Sequence, residues 1–287
     1  WYLILIIFVT VYLADRLYKK TMHFEPNVKT NFVVQSMLFI AMVAVTVIGS
    51  RGGFQLRPIS AMTAARHTTV TNIPVVLNTP FTFFRTLGKN GVPELQYFDT
   101  RYPDSSYSLI VRSDSNRITT AKNVVLFIME SYSKEYIGWY NQGKGYTPFL
   151  DSLMNHSLVF DNMFANGQKS IEALPSIVAG FPALMEEPYI TSVYSNNQLN
   201  SVTEILSARG YQTLFYHGGS NGTMGFNGFA GAAGYQVYSG KDEYPYEEDY
   251  DGNWGVFDEP YFKFVASELS GIEYPFFSTI FSLSSHH

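Results

Sequence analysis

Hydrophobic and polar positions divide this chain into three textures. Trp1 to Leu13 is almost wholly apolar, and Phe32 to Gly49 (FVVQSMLFIAMVAVTVIG) is a second apolar run holding one amide. The second run is close to the roughly 20 residues a helix needs to cross a bilayer. The first starts without the basic residues that open a signal peptide, and reads as the tail of a span cut by the start of the sequence. Two buried core helices are the competing reading. Residues 51 to about 120 are mixed, with Pro58, Pro74, Pro80, Pro93 and Pro103 punctuating short apolar pieces. Ser60 to Arg66 there reads as a short helix against a membrane surface, with Ser60 as its N-cap.

From residue 122 the pattern becomes a regular α/β alternation. Val124-Val125-Leu126-Phe127-Ile128-Met129 is a continuous apolar run too short for a long helix, and it drives into Glu130. Buried parallel strands read this way. Thr147 to Met154 predicts a helix with Pro148 at its first position, Leu158 to Phe164 a second strand, and Ser170 to Ile177 a helix opened by a glycine-containing loop. Ser201 to Arg209 predicts a helix stopped at Gly210. Tyr211 to Tyr216 is a third strand delivering His217-Gly218-Gly219, Tyr261 to Leu269 a further helix, and Pro275 to Leu283 a fourth strand delivering Ser284-Ser285-His286-His287. Strands alternating with helices predict an α/β fold with a mostly parallel central sheet covered by helices on both faces. The expected organisation is a membrane region over 1–50 with two transmembrane helices, the first truncated, a juxtamembrane connector over 51–121, and the N-terminal part of an α/β domain over 122–287.

Composition sharpens this picture. Hydrophobic residues make up 46% and charged residues 15%, against about 25% charged in ordinary soluble domains, as membrane runs require. A net charge of −5 gives no basic face for nucleic acid. With no cysteine, disulfides, zinc-thiolate sites and a cysteine nucleophile are excluded. Arg16, Lys19, Lys20 and Lys29 lie between the apolar runs and favour a cytoplasmic loop there, sending the residues beyond Ile48 to the outer face.

Ligand groups in open α/β sheets gather at the carboxyl ends of strands, which singles out Glu130, His217 and His286. Ser170, at a helix start, sits where backbone N–H groups and the positive end of the helix dipole suit a phosphate or sulfate oxygen. A serine needs activation by a base or a metal. No His or Asp adjoins it, so a metal shared with Glu130 is the economical activator. On local sequence alone Ser170 is also an ordinary N-cap, and His217 a turn residue after a strand. Asp242 to Asp251 (DEYPYEEDYD) lacks EF-hand spacing and reads as a solvated acidic loop. Asn155 and Asn221 each open a glycosylation sequon.

The order of Phe127-Ile128-Met129-Glu130-Ser131, Thr147-Pro148-Phe149-Leu150-Asp151-Ser152-Leu153, Gly167-Gln168-Lys169-Ser170, Tyr216-His217-Gly218-Gly219-Ser220-Asn221-Gly222-Thr223-Met224, Trp254-Gly255-Val256-Phe257-Asp258-Glu259 and Ser282-Leu283-Ser284-Ser285-His286-His287 resembles the lipoteichoic acid synthase family of the alkaline phosphatase/sulfatase superfamily. The resemblance implies a membrane-anchored enzyme of the bacterial cell membrane with an extracytoplasmic catalytic domain. It would move phosphoglycerol or a similar group from a phospholipid donor to a glycan or lipid acceptor. It also implies a divalent metal, manganese with magnesium and zinc as alternatives, held by Glu130 and the nucleophile Ser170. His286, Lys169 and His217 would contact substrate.

Three departures stand out. Serine replaces the family's threonine nucleophile, and no Asp-His dipeptide, the other half of the family's metal site, occurs in the sequence. Gly219, Met224 and Phe226 stand where that family holds polar or aromatic headgroup contacts, a pattern more like homologues from Bacteroidetes-type bacteria. The Cys/Ser-x-Pro-x-Arg motif of sulfatases is absent, since Ser170 is followed by Ile171-Glu172-Ala173-Leu174. Phosphoethanolamine transfer, sulfuric ester hydrolysis and a catalytically silent membrane-anchored domain are the alternatives.

Overall fold

The structure, a computed structural model, describes residues 2–22, 31–54, 59–68, 72–89, 91–94, 97 and 121–286. Lys29, much of the 51–121 connector and His287 lie outside them. The chain divides into two compact units, Trp1–Pro58 and Ile59–His287.

The first unit holds helices α1 (Tyr2–Met22) and α2 (Phe32–Arg51). Asn31 caps α2 by accepting from the Val33 N–H at 3.1 Å. Gly52, at φ 82°, ends it, with its own N–H and that of Gly53 returning to Gly49 and Ile48 oxygens, the left-handed stop that glycine adopts without strain. Twenty residues at about 1.5 Å each reach across a hydrocarbon core, and no residue of α2 is buried. Among the described residues α2 is the one helix long and apolar enough to cross a membrane. Of the two expected spans, α2 alone meets that criterion among the described residues. The apolar part of α1 stops at Leu13, and its last turns carry Asp15, Arg16, Lys19 and Lys20, with Lys19 paired to Asp15 at 2.7 Å.

The second unit is built on four parallel strands, β1 (Val124–Ile128), β2 (Gln212–His217), β3 (Val237–Ser239) and β4 (Phe276–Phe281), in the order β1-β4-β2-β3. Parallel neighbours require crossover connections. Helices α3 (Ile73–Val76) and α4 (Thr79–Thr86) precede β1. After it come α5 (Pro148–Met154), α6 (Ser170–Ala179), α7 (Val202–Ser207), α8 (Phe226–Ala232) and α9 (Asp258–Ser270). All six residues of β4 are buried, which explains the unbroken PFFSTIF run. Alternate side chains feed two cores. Phe215, Phe277 and Phe281 meet Leu174 and Val178 of α6 and Phe226 and Phe229 of α8. On the opposite face Leu214, Tyr216, Phe276 and Ile280 meet Tyr261 and Val265 of α9. The expected α/β sheet with helices on both faces is present around β2 and β4.

Other expectations change. Residues 158–164 form no strand; Leu158, Phe160, Met163 and Phe164 are exposed. Among the described residues no strand pairs with this apolar stretch, and a strand without a ladder leaves its N–H and C=O groups to water. The three-residue β3 has too little apolar pattern to read. The short helix at Ala61–Arg66 forms as a 3₁₀ turn, with the Ser60 N–H donating to Thr63 Oγ1 at 2.9 Å. It does not lie free for a membrane surface, because Met62 and Ala64 are buried against α8. A Cβ on Gly228 would stand 2.5 Å from the Met62 carbonyl oxygen, so glycine permits that approach.

Helix α6, which opens at Ser170, makes this packing testable. Leu174 is fully buried and Ile177 is 46% exposed on the same helix. Leu174→Ala is expected to destabilise by about 2–5 kcal/mol, and Ile177→Ala by less than roughly 1 kcal/mol, read as urea midpoints. Equal shifts would mean α6 is not seated by this face.

Candidate active site

Parallel register brings the strand ends to one edge. Ile128 lies opposite Phe281, and Phe281 opposite His217. Just past those residues the Ser282 N–H donates to the Ile128 carbonyl at 3.0 Å, and the Glu130 N–H donates to Ser282 Oγ at 2.7 Å. These two bonds tie β1 to β4 beyond the ladder and aim Glu130 away from the sheet edge. Ser131 then takes φ 55°, a left-handed backbone that non-glycine residues adopt at some cost and that often marks functional turns.

Ser170, the first residue of α6, donates from Oγ to Glu130 Oε2 at 2.6 Å, while Ser131 Oγ donates to Oε1 at 3.2 Å. Both Glu130 and Ser170 are half-buried. The approach loop is shaped by Glu172, whose Oε2 accepts from the Gln168 N–H at 2.8 Å and the Lys169 N–H at 3.2 Å. This carboxylate satisfies N–H groups at the helix start and suits the positive end of the dipole. Gly167 packs so closely that a Cβ would meet Glu172 Cβ at 2.6 Å. Lys169 occupies the N-cap position with an exposed side chain.

His286 follows β4 in a turn closed by its N–H to the Leu283 oxygen at 2.9 Å. Its ring lies 4.4 Å from the Trp254 ring, and its Nδ1 is sealed from solvent without a hydrogen-bond partner. Asp258 fixes the turn: Oδ1 accepts from the Leu283 N–H at 2.7 Å, Oδ2 from the Ser284 N–H at 2.9 Å, and its own N–H donates to Ser284 Oγ at 2.7 Å. Burial pushes the Asp258 carboxyl up, and the hydrogen bonds from Leu283 and Ser284 oppose it.

His217 is different. It is completely buried, packed against Phe226 at 5.3 Å and Phe281 at 5.4 Å, with neither ring nitrogen hydrogen-bonded. Gly219 folds over it, so a Cβ there would come within 2.8 Å of Nε2. Among the described residues, Glu130 and Ser170 are joined directly. His286 and Lys169 stand at loop positions without a hydrogen bond to that pair, and His217 lies in the core.

Asp251, Asp258 and Ser282 were not legible as site-building residues. Asp251 Oδ1 gathers the N–H groups of Asn253, Trp254 and Gly255 at 2.8, 2.8 and 3.0 Å. The acidic stretch is therefore not simply a solvated loop. Glu243 likewise accepts from Asn221 Nδ2 at 3.0 and 3.1 Å and from the Gly240 N–H at 2.6 Å, which also commits the Asn221 sequon side chain to the fold.

The donor chemistry fits part of a cation site. Two oxygens, one a carboxylate, converge at a helix N-terminus, as hard divalent cations prefer. No group of three or more His, Cys, Asp or Glu able to hold a metal occurs among the described residues. Glu130 and Ser170 alone do not make up such a group.

Burial lowers the His217 pKa to about 4, with the Phe281 backbone opposing weakly without hydrogen-bond geometry. The folded protein keeps this ring neutral while an unfolded chain protonates it near pH 6.5. Stability is thus full above pH 6.5 and falls by on the order of 3 kcal/mol as the pH drops toward 4. His217→Phe is expected to flatten the melting temperature over that window. An unchanged slope would mean other groups drive it.

Residues 122–287, which include β1, α6, α9 and the His286 turn, match the family model described as Sulfatase. Lipoteichoic acid synthase 2 of Bacillus subtilis is 28% identical over 170 residues, covering 58% of this chain and 26% of that protein. A solved structure of an alkaline phosphatase superfamily protein from Vibrio parahaemolyticus superposes with a TM-score of 0.54 at 28% identity, covering 58% of this chain and 41% of that one. The lipoteichoic acid synthase LtaP of Listeria monocytogenes shares the fold at a TM-score of 0.51 and 20% identity, over 58% of this chain and 41% of that one. The chain spans about a quarter of the length of the synthase it matches. A Sulfatase match over more than half of the chain, on a parallel sheet shared with an alkaline phosphatase superfamily structure, places this protein in the sulfatase family as a lipoteichoic acid synthase-like member.

Proposed function

We propose that this protein is a membrane-anchored phosphotransferase. It moves a phosphoglycerol-type headgroup from a phospholipid to a glycan or lipid acceptor on the outer face of a bacterial cell membrane. The observation that carries the reading is the 2.6 Å hydrogen bond from Ser170 Oγ to Glu130 Oε2, a hydroxyl and a carboxylate meeting at a helix start. The lipoteichoic acid synthase relative supports the transferase class, and α2 supports the anchor.

In the first step Ser170 Oγ forms a bond to the donor phosphorus. Its proton leaves along the existing hydrogen bond toward Glu130, and the P–O bond to diacylglycerol breaks. Diacylglycerol departs as the alcohol after taking a proton. An acceptor hydroxyl then attacks the Ser170 phosphodiester: a new P–O bond forms, the Ser170 Oγ–P bond breaks, and the proton lost by the acceptor balances the one that restores the Ser170 hydroxyl. Glu130 and Ser170 would hold a divalent cation, for which manganese, magnesium and zinc are candidates. Bound there, it lowers the hydroxyl pKa and draws charge from phosphate oxygens. The N–H groups opening α6 and the exposed Lys169 ammonium favour the anionic headgroup, and His286 contacts the phosphate. His217 is enclosed, so it supports the Gly218–Gly219 turn from below.

Family membership does not by itself select sulfuric ester hydrolysis, because Ser170-Ile171-Glu172-Ala173-Leu174 lacks the motif that makes a formylglycine. Phe226 is fully buried and Met224 packs against the core, so neither gives a headgroup a polar contact. Phosphoethanolamine donors therefore belong in the same assay as phosphoglycerol donors.

Ser170→Ala in the full-length protein is expected to cut turnover of labelled phospholipid at least roughly 10³-fold and to abolish the labelled protein intermediate. Retained turnover would remove this mechanism. Separately, Glu130→Ala is expected to strip the divalent ion found by elemental analysis of purified protein. Wild-type protein that binds none would point to a catalytically silent domain.

A further inference from the structure

We infer that Trp254 is a positioning residue for His286, holding the imidazole so that one ring nitrogen alone is offered to an anionic substrate. This rests on the reading of His286 as a phosphate contact.

The segment 250–258 grips the sheet edge at several points. Tyr250 bridges to Val256 and Gly219 to Gly255 in antiparallel fashion. The Val256 N–H donates to the Gly218 oxygen at 2.9 Å, and the Ser220 N–H approaches the Trp254 oxygen at 3.4 Å. Asp251 holds the Asn253, Trp254 and Gly255 amides from inside the loop. Residue 255 must be glycine, because a Cβ would lie 2.2 Å from the Gly218 oxygen and 2.6 Å from Leu283 Cδ2. Trp254 therefore sits on backbone that is pinned to the end of β2.

The same segment ends in Asp258, whose carboxylate and N–H clamp Leu283 and Ser284. One stretch of chain thus fixes both the Trp254 indole and the turn bearing His286, and brings the two rings to 4.4 Å at 50°. On the His286 ring Nδ1 is sealed and unpartnered, while the half-buried residue keeps an open side. Packing, with no hydrogen bond to Nδ1, is what holds the ring. Without the indole, rotation of the ring would exchange its two nitrogens and lose the orientation. Trp254 touches no reacting atom in this scheme and acts through His286.

The experiment is a double-mutant cycle in the full-length protein, with kcat/KM for a labelled phospholipid donor, melting temperature and divalent metal content as readouts. Trp254→Ala is expected to lower kcat/KM by about 10- to 100-fold, with melting temperature and metal content held. Trp254→Phe, which keeps an aromatic face, is expected to stay within about 3-fold of wild type. His286→Ala should lose at least as much as Trp254→Ala, and the double variant no more than His286→Ala alone, because residues acting as one unit are not additive. Additive losses, a Phe variant as impaired as Ala, or an unimpaired Trp254→Ala would each overturn the inference while leaving the transfer reaction intact. A fully active His286→Ala would overturn both the inference and the phosphate role of His286, with Ser170→Ala still deciding the reaction itself.

Discussion

Parallel pairing of β4 between β1 and β2 is the constraint on which the candidate site depends. A parallel sheet puts all its strand C-termini at one edge, and here the register places Ile128, Phe281 and His217 level with one another. Every polar group of interest leaves the sheet within a few residues of that line. Ser282 converts the alignment into a fixed distance: its N–H reaches back to Ile128 and its hydroxyl takes the Glu130 N–H. Loss of that ladder would leave Glu130 without a fixed direction, and the short bond from Ser170 depends on that direction.

The balance of forces differs between the two ends of the site. At Glu130 and Ser170 a carboxylate faces a helix start, where the dipole and free N–H groups favour negative charge. Glu172 already occupies the amides of Gln168 and Lys169, so α6 receives one carboxylate as a cap and a second against its first hydroxyl. At His217 desolvation dominates. A ring enclosed by Phe226, Phe281 and the Gly219 turn cannot carry charge at neutral pH, and this neutral histidine serves packing as a phenylalanine would. Two residues that look alike in sequence, each at the end of a strand, therefore end in opposite environments. His217 lies on the face packed by α8, whereas His286 stands beyond the ladder in a turn.

The legibility of the sequence followed from the range of the interactions. The strand ending at Glu130 was legible from its unbroken apolar run, although β1 is an edge strand of the described sheet and exposes Val124, Val125 and Phe127 rather than burying them. The helix opening at Ser170 was legible because a helix start leaves a local mark. Pro148, Ser201 and Gly210 marked helix ends for the same reason, and Ser201 does cap α7 by accepting from the Glu204 N–H at 3.0 Å. Leu158 to Phe164 misled because an apolar alternation says nothing about whether a partner strand exists. Asp258 was invisible as a turn brace, since the amides it holds lie 25 and 26 residues away. Asp251 carried a weak local signal, an aspartate two to four residues before the amides it collects, but it sat within a run of acids that composition favours as solvent-facing. The apolar helix α2 was legible because its length and apolarity are local properties of the sequence. In α1 the apolar stretch is shorter, because charge enters after Leu13.

The turn after His217 follows the same geometry. Phe226 has no exposed surface and is wedged between His217 and Phe281, so no rotamer takes it to the sheet edge without emptying the core. Met224 takes φ 50° between two glycines of positive φ, Gly222 and Gly225, and that backbone course directs its side chain into the core cluster. Phe226 and Met224 thus serve packing, and the glycine at 219 permits the tight path over His217. At the same edge, Trp254 is the large aromatic whose indole is partly open and already rests on a histidine.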